Sequence, residues 1–176
     1  MTERVIGVAI GIPEPTAGEL RKWREAFGDP LATAVPPHIT LVPPTVVADE
    51  DLPAIEQHLA EVAGRHARFD IQLRGTGSFR PVSPVIFVAL ATGISNCERL
   101  EADLRSGPLQ RPLKFYYHPH VTVAHDLDDE TLDRAFAELA DYRASFTVTS
   151  FGLFEQDGSG VWHPQRDFPL TGGQPA

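Results

Sequence analysis

Cysteine is almost missing from this chain. Cys97 is the only one in 176 residues, so an intramolecular disulfide is excluded, and so is any CxxC metal or redox motif. Lysine is nearly as scarce: Lys22 and Lys114 are the only two among 15 basic residues, against 24 acidic ones, for a formal charge of −9. A broad, sequence-independent hold on a duplex rests on basic side chains neutralising phosphates, so duplex nucleic acid is excluded as a partner class. No apolar run approaches the ~20 residues of a membrane-spanning helix. The opening Met1-Thr2-Glu3-Arg4 does not read as a secretory leader, which gives the cytoplasm as the expected compartment.

What is present is ordinary in bulk: 42% hydrophobic and 22% charged residues. The length suits one compact unit or two intimate lobes with a sizeable core, expected as a monomer. The charge is uneven, however. Residues 62–119 hold eight basic side chains and only four acidic ones. A small phosphate-bearing ligand is compatible with that stretch.

The chain repeats itself. Pro37-His38-Ile39-Thr40-Leu41-Val42 returns as Pro119-His120-Val121-Thr122-Val123-Ala124, 82 positions on. Val5-Ile6-Gly7-Val8-Ala9-Ile10 returns as Val85-Ile86-Phe87-Val88-Ala89-Leu90, 80 positions on. A chance match of the first kind has odds of roughly a few per thousand, so a duplicated unit is the reading to test.

The elements follow the same order twice. Residues 4–11 and 85–90 read as buried strands. Thr16-Ala17-Gly18-Glu19 and Ser95-Asn96-Cys97-Glu98 read as capping boxes. Behind the first, Leu20, Trp23 and Phe27 recur at helical spacing up to Gly28; behind the second come Cys97, Leu100 and Leu104, up to Gly107-Pro108. Each His strand is followed by an acidic helix start, Asp49-Glu50-Asp51 or Asp128-Asp129-Glu130. Leu52, Ile55, Leu59 and Val62, stopped by Gly64, give one apolar stripe, and Leu132, Phe136 and Leu139 the other. Alternating strands close each unit, with Phe69, Ile71 and Leu73 in one and Phe146 and Val148 in the other.

The expected fold is therefore α+β: a duplicated bilobal domain over 1–170, with repeats at about 5–75 and 85–154 joined by a crossover at 76–84. Each lobe runs strand–helix–His strand–helix–strand, and a pseudo-twofold axis passes through a central groove. A hairpin at 151–170 turns at Asp157-Gly158, and 171–176 is an expected frayed tail.

In a strand, residues i and i+2 share a face. His38 with Thr40, and His120 with Thr122, then point one way while Ile39, Leu41, Val121 and Val123 point into the helices. About a twofold axis, the polar faces converge. Two imidazoles across a phosphodiester suit in-line displacement, one accepting the nucleophile's proton and the other protonating the leaving oxygen. Threonine hydroxyls suit the non-bridging oxygens. Phe79, Tyr116 and Tyr117 are candidates to stack on a base, with core packing as the equal alternative.

Paired His-x-Thr strands, one per lobe of a duplicated α+β chain, resemble the two-histidine (2H) phosphoesterases, the 2′-5′ RNA ligase-like superfamily. The likeness runs from Val5 to about Leu170. It implies hydrolysis or formation of phosphodiesters without metal or other cofactor. The implied partner is a small nucleotide or RNA terminus, commonly with a 2′,3′-cyclic phosphate. It also implies acid and base roles for His38 and His120, and phosphate binding by Thr40 and Thr122. The RNA-ligase branch continues its first motif as Phe-Leu-Gly and ends its second in a basic residue. Val42-Pro43-Pro44 and Ala124-His125 stand there instead, which points toward a smaller bacterial phosphoesterase branch.

Two alternatives stay open on the residues alone. One is a phosphate-binding module of this fold without chemistry. The other is a metal-dependent hydrolase using His118, His120 and His125, although strict alternation puts His125 on the other parity from the first two. His118 is expected to orient the second motif, His125 to cap the next turn, His58, His66, Arg74 and Arg80 to lie on the surface, His163 to be structural, and Cys97 to be buried.

Overall fold

The computed structural model describes residues 2–173. The first apolar run forms β1 (Glu3–Gly11), followed by α1 (Thr16–Ala26), the first His strand β2 (His38–Ala48), a 3-10 turn and α2 (Leu52–Arg65). Then come β3 (Phe69–Ser78), β4 (Val85–Thr92), α3 (Ile94–Leu104) and the second His strand β5 (His120–His125). The chain finishes with α4 (Asp129–Glu138), β6 (Arg143–Val148), β7 (Ser150–Gln156) and β8 (Trp162–Pro169). Two four-stranded antiparallel sheets result, in the orders β2-β1-β7-β8 and β5-β4-β3-β6. The element order is the one the repeat implies, in an α+β bilobal architecture. Among the described residues no helix is long and apolar enough to cross a membrane.

The sheets are not the contiguous repeats that the boundaries 5–75 and 85–154 suggest. β3, which closes the first repeat, lies between β4 and β6, and β7 pairs with β1. The helices cross as well: α1 lies against β5, and α3 against β2. Each His strand is thus backed by a helix from the other half. One continuous apolar core runs through both sheets, from Ile6 and Val8 through Ile39 and Leu59 to Val121 and Phe151.

The ladders also correct the repeat's register. His38 faces Gly11 and Thr40 faces Ala9; His120 faces Ala89 and Thr122 faces Phe87. With the histidines 82 apart, β1 and β4 therefore correspond at an offset of 78, not 80. The slip of two preserves side-chain parity, so apolar runs look equally well matched at either offset.

One irregularity occurs in both halves. Val8 faces Val42 while Ala9 faces Thr40, and Ile86 faces Ala124 while Phe87 faces Thr122. The strand after each threonine thus carries an extra residue, Leu41 or Val123, which is a β-bulge. Burial follows the pattern half-buried, buried, half-buried, buried, buried in both strands. The strict alternation expected along 118–125 consequently breaks after Thr122. A second shift, opposite Gly7, takes up Pro43 and Pro44. β2 tolerates prolines there because it is an edge strand and they sit in an irregularity.

Several local expectations give way. Neither capping box forms: α1 and α3 start from Pro15 and Gly93 without a side-chain cap, and Glu14 receives the Gly18 N–H at 3.1 Å. Gly93 holds φ 96°, which suits glycine and supplies the sharp entry to α3. Asp128 does cap α4, accepting from the Thr131 N–H at 2.7 Å. α2 runs through Gly64 to Arg65, and Phe136 lies exposed on α4 rather than in its apolar stripe. His58 is buried against the Leu104 carbonyl at 3.0 Å, and His66 meets Asp103 at 2.9 Å. Arg80 pairs with Asp133 at 2.9 Å. His125 makes no capping bond among the described residues; the Asp126 N–H goes to the Pro84 carbonyl at 3.0 Å. The expected frayed tail is pinned where it begins: the Thr171 and Gly172 N–H groups bond the Ala63 and His66 carbonyls. Its last residues, 174–176, lie outside the described residues.

Candidate active site

β2 and β5 are the edge strands of their sheets, and they approach each other where the lobes meet. This brings His38, Thr40 and His120 to one boundary. Small residues on the neighbouring strands, Gly11, Ala9 and Ala89, face these side chains. The fourth position differs, because Phe87 faces Thr122.

Both imidazoles are held the same way. His38 Nδ1 lies 2.8 Å from the Pro36 carbonyl and His120 Nδ1 lies 2.6 Å from the His118 carbonyl. A carbonyl oxygen can only accept, so in each neutral ring Nδ1 carries the hydrogen and Nε2 keeps its lone pair. The Thr40 hydroxyl donates to His38 Nε2 at 3.1 Å. Both acceptors stand two residues before their histidine, so the clamp is built into each Pro-His approach.

Burial lowers both pKa values. For His38 it outweighs the Pro36 hydrogen bond, which works the other way; with the nearby charges of Arg24 and His120 the pKa is pushed down to about 4. His120 is lowered from its ordinary value chiefly by burial and further by His118, with the His118 carbonyl opposing. Both rings are half-buried, shielded at the body while an edge still meets the groove. At neutral pH both are neutral bases in the free protein. Behind His38, the Arg24 guanidinium and the Asp29 carboxylate form a buried pair at 2.7 Å.

Each histidine also stands beside aromatic rings. His38 lies 4.2 Å from Trp162 between ring centres, and Trp162 stacks on Phe154. His120 meets Phe79 edge-on at 4.8 Å and Phe87 at 5.3 Å; His118 lies against the same two rings. Phe154 covers Gly7 and Phe87 covers Gly77 so closely that a Cβ on either glycine would collide with the ring. His38 opens on a cavity of about 530 Å³ with Trp162, Phe154 and Arg21. His120 opens on one of about 700 Å³ shared with Thr40, Phe79 and Tyr117.

The remaining candidates fall unevenly. Tyr117 lines the His120 cavity, but its hydroxyl is donated to the Thr40 carbonyl at 2.7 Å, a tie between the two halves. Burial holds that phenol well above its ordinary pKa, so it remains a donor. Thr122 is half-buried beside Phe87, with no side-chain hydrogen bond among the described residues. His118, His120 and His125 do not assemble into a group that could hold an ion. Burial pushes the Cys97 thiol up to about 12, far from a nucleophile's range. Trp162 and Phe154 were missed by the sequence reading, because no spacing ties residue 162 to residue 38. The glycine at 7, inside an apolar run, was the only local hint of close approach.

A family model for the 2′-5′ RNA ligase superfamily matches residues 12–160. A provisionally named phosphoesterase of Halalkalibacterium halodurans is 26% identical over 93% of this chain and 96% of its own. One from Bacillus cytotoxicus is 29% identical over 82% of this chain and 85% of its own. Among solved structures, Escherichia coli LigT in its apo form aligns with a TM-score of 0.66 at 22% identity, over 97% of this chain and 99% of that one. TT0787 of Thermus thermophilus aligns with a TM-score of 0.67 at 21% identity, over 97% and 100%.

Proposed function

The chain belongs to the 2′-5′ RNA ligase superfamily of two-histidine phosphoesterases, and from that premise we propose that it hydrolyses 2′,3′-cyclic phosphates of nucleotides or RNA ends with His38 and His120 as its acid–base pair. One observation carries the reading. Two histidines on strands of identical local register each donate Nδ1–H to the carbonyl two residues back and so present Nε2. Relatives named as phosphoesterases support the phosphoester class. A fold neighbour, LigT, has been crystallised with 3′-AMP and with phosphate, which supports a small nucleotide as ligand.

Water attacks phosphorus and loses its proton to one neutral Nε2. The P–O bond to a ribose oxygen breaks opposite the incoming oxygen, and the other ring, as imidazolium, protonates that oxygen. His38 has its pKa pushed down to about 4, which suits it to the base role and leaves His120 as the acid. Neither ring is charged at neutral pH in the free protein, so the phosphate's own negative charge supplies the field that stabilises the imidazolium. Thr40 gives its hydroxyl to a non-bridging oxygen in place of His38, and Thr122, unpartnered among the described residues, offers a second. Phe79 and Trp162 supply flat faces for a base on either side of the pair.

A panel of nucleoside 2′,3′-cyclic monophosphates and cyclic-ended oligonucleotides, assayed in excess EDTA, tests this. Release of a 2′- or 3′-monophosphate is expected. Activity abolished by chelator and restored by zinc would overturn the two-histidine mechanism, and binding without turnover would reduce the site to a receptor.

A further inference from the structure

The segment entering β5, residues 110–119, has no helix or strand, yet it carries the most exposed aromatic side chains in the molecule. Tyr116 is 99% exposed and Phe115 62%. Seven large hydrophobic residues are exposed among the described residues, and four of them (Val82, Leu113, Phe115 and Tyr116) line the cavity onto which His120 opens. Scattered exposed apolar residues need no explanation, but a cluster at the mouth of a site does.

The charge of the segment sets it apart too. In a chain of formal charge −9, no acidic residue occurs between Asp103 and Asp126, whereas Arg111 and Lys114 line the same cavity. The ion pairs of the described residues involve neither cation. Lys114 Nζ lies 5.5 Å from the Phe115 ring centre. Cations beside solvent-facing rings match a flexible polyanion that carries flat apolar groups of its own. A protein partner would account for the rings and leave the cations unexplained. A duplex would satisfy the cations and keep its bases out of reach.

The inner end of the segment is fastened to the site, since the Tyr117 hydroxyl holds the Thr40 carbonyl. We propose that loop 110–117 is a second binding site that takes the nucleotides preceding the terminal phosphate of a single-stranded oligonucleotide, with bases on Phe115 and Tyr116 and phosphates on Arg111 and Lys114. It rests on the phosphodiesterase reading and narrows it: the preferred substrate is an oligonucleotide end and not a free mononucleotide.

The test compares kcat/KM for a cyclic-ended trinucleotide with that for the matching nucleoside 2′,3′-cyclic monophosphate. A ratio of about ten or more is expected, since one stacked base and one or two phosphate contacts are gained. The ratio should shrink as NaCl rises from 50 to 300 mM. In the triple variant Phe115→Ala/Tyr116→Ala/Lys114→Gln, whose positions are exposed and leave the core intact, the ratio should fall toward one. A wild-type ratio near one overturns the proposal. So does a ratio retained in the variant, which would assign the patch to a protein partner. A second arm needs no turnover: a labelled single-stranded hexanucleotide with a 3′-phosphate should bind by fluorescence anisotropy, and the variant should bind it at least several-fold more weakly. Loop-dependent binding without turnover of any cyclic phosphate would sink the catalytic reading and leave the loop's role standing; turnover with loop-independent binding would do the reverse.

Discussion

At the scale of single residues, the two histidines resemble each other in how they are held and differ in how far they are shifted. Replacing either His38 or His120 by alanine should cost roughly 10²–10⁴ in kcat, which initial-rate kinetics would read directly. The double variant should lose much less than the product of the two, because acid and base act as a unit. Since burial pushes His38 down to about 4 and lowers His120, the kcat/KM profile of the free enzyme should be a bell with its maximum below pH 6.5. The kcat profile should lie to its alkaline side, because a bound phosphate favours the imidazolium. Stability follows the same shift. The unfolded chain takes up a proton at His38 near pH 6.5 and the folded one only near pH 4, so between those values the unfolded state binds more protons. Stability is therefore complete above pH 6.5 and falls as the pH is lowered, by up to about 3 kcal/mol from this residue. Thermal melts at pH 7 and 4.5 should show a smaller acid loss in His38→Gln than in the wild type; equal losses would contradict the burial argument.

Strands and loops carry the second level. The repeated bulge after each threonine sets where His38, Thr40 and His120 stand, and Tyr117 ties the approach to β5 onto β2. Tyr117→Phe removes one half-buried hydrogen bond and should cost about 0.5–1.5 kcal/mol of stability. If the tie positions Thr40, kcat should fall several-fold while KM for a cyclic mononucleotide changes little; an unchanged kcat would leave the bond a purely structural one. Gly7 illustrates a constraint of packing. A Cβ there collides with the Phe154 ring, so Gly7→Ala should destabilise by about 1–3 kcal/mol, visible as a lower Tm. Because Phe154 stacks on Trp162, the same variant should alter tryptophan fluorescence in the native state.

For the whole molecule, the exchange of β3 and β7 between sheets decides how it folds. Residues 1–83 alone would leave β1 and β2 without β7, and β3 without β4 and β6. Either half by itself therefore exposes an unpaired sheet edge and half a core. Circular dichroism of the isolated halves should show no cooperative melt, whereas mixing them should restore one. Independently stable halves would mean that the interlocked topology contributes little to stability.

The duplication, the order of elements and the matching strand positions of His38 and His120 were all legible in the chain, because strand periodicity and a repeated tetrapeptide are local properties that survive in one dimension. Parity along His38-Ile39-Thr40 and His120-Val121-Thr122 was legible for the same reason. The offset of 78 between β1 and β4 was not, since apolar runs fit their neighbours equally well two residues either way and only the ladder selects one register. Nor were the exchanged strands, the helices that back the opposite His strand, or Trp162 beside His38, each of which joins residues far apart in sequence. Capping boxes at 16–19 and 95–98 were overridden by the entry geometry at Pro15 and Gly93. Periodicity and the repeat singled out His38, Thr40, His120 and Thr122 as candidates and gave the way they face along their own strands. What surrounds them could not be read from the chain, because burial, charge neighbours and aromatic contacts depend on how two halves interlock, and that is a property of neither half alone.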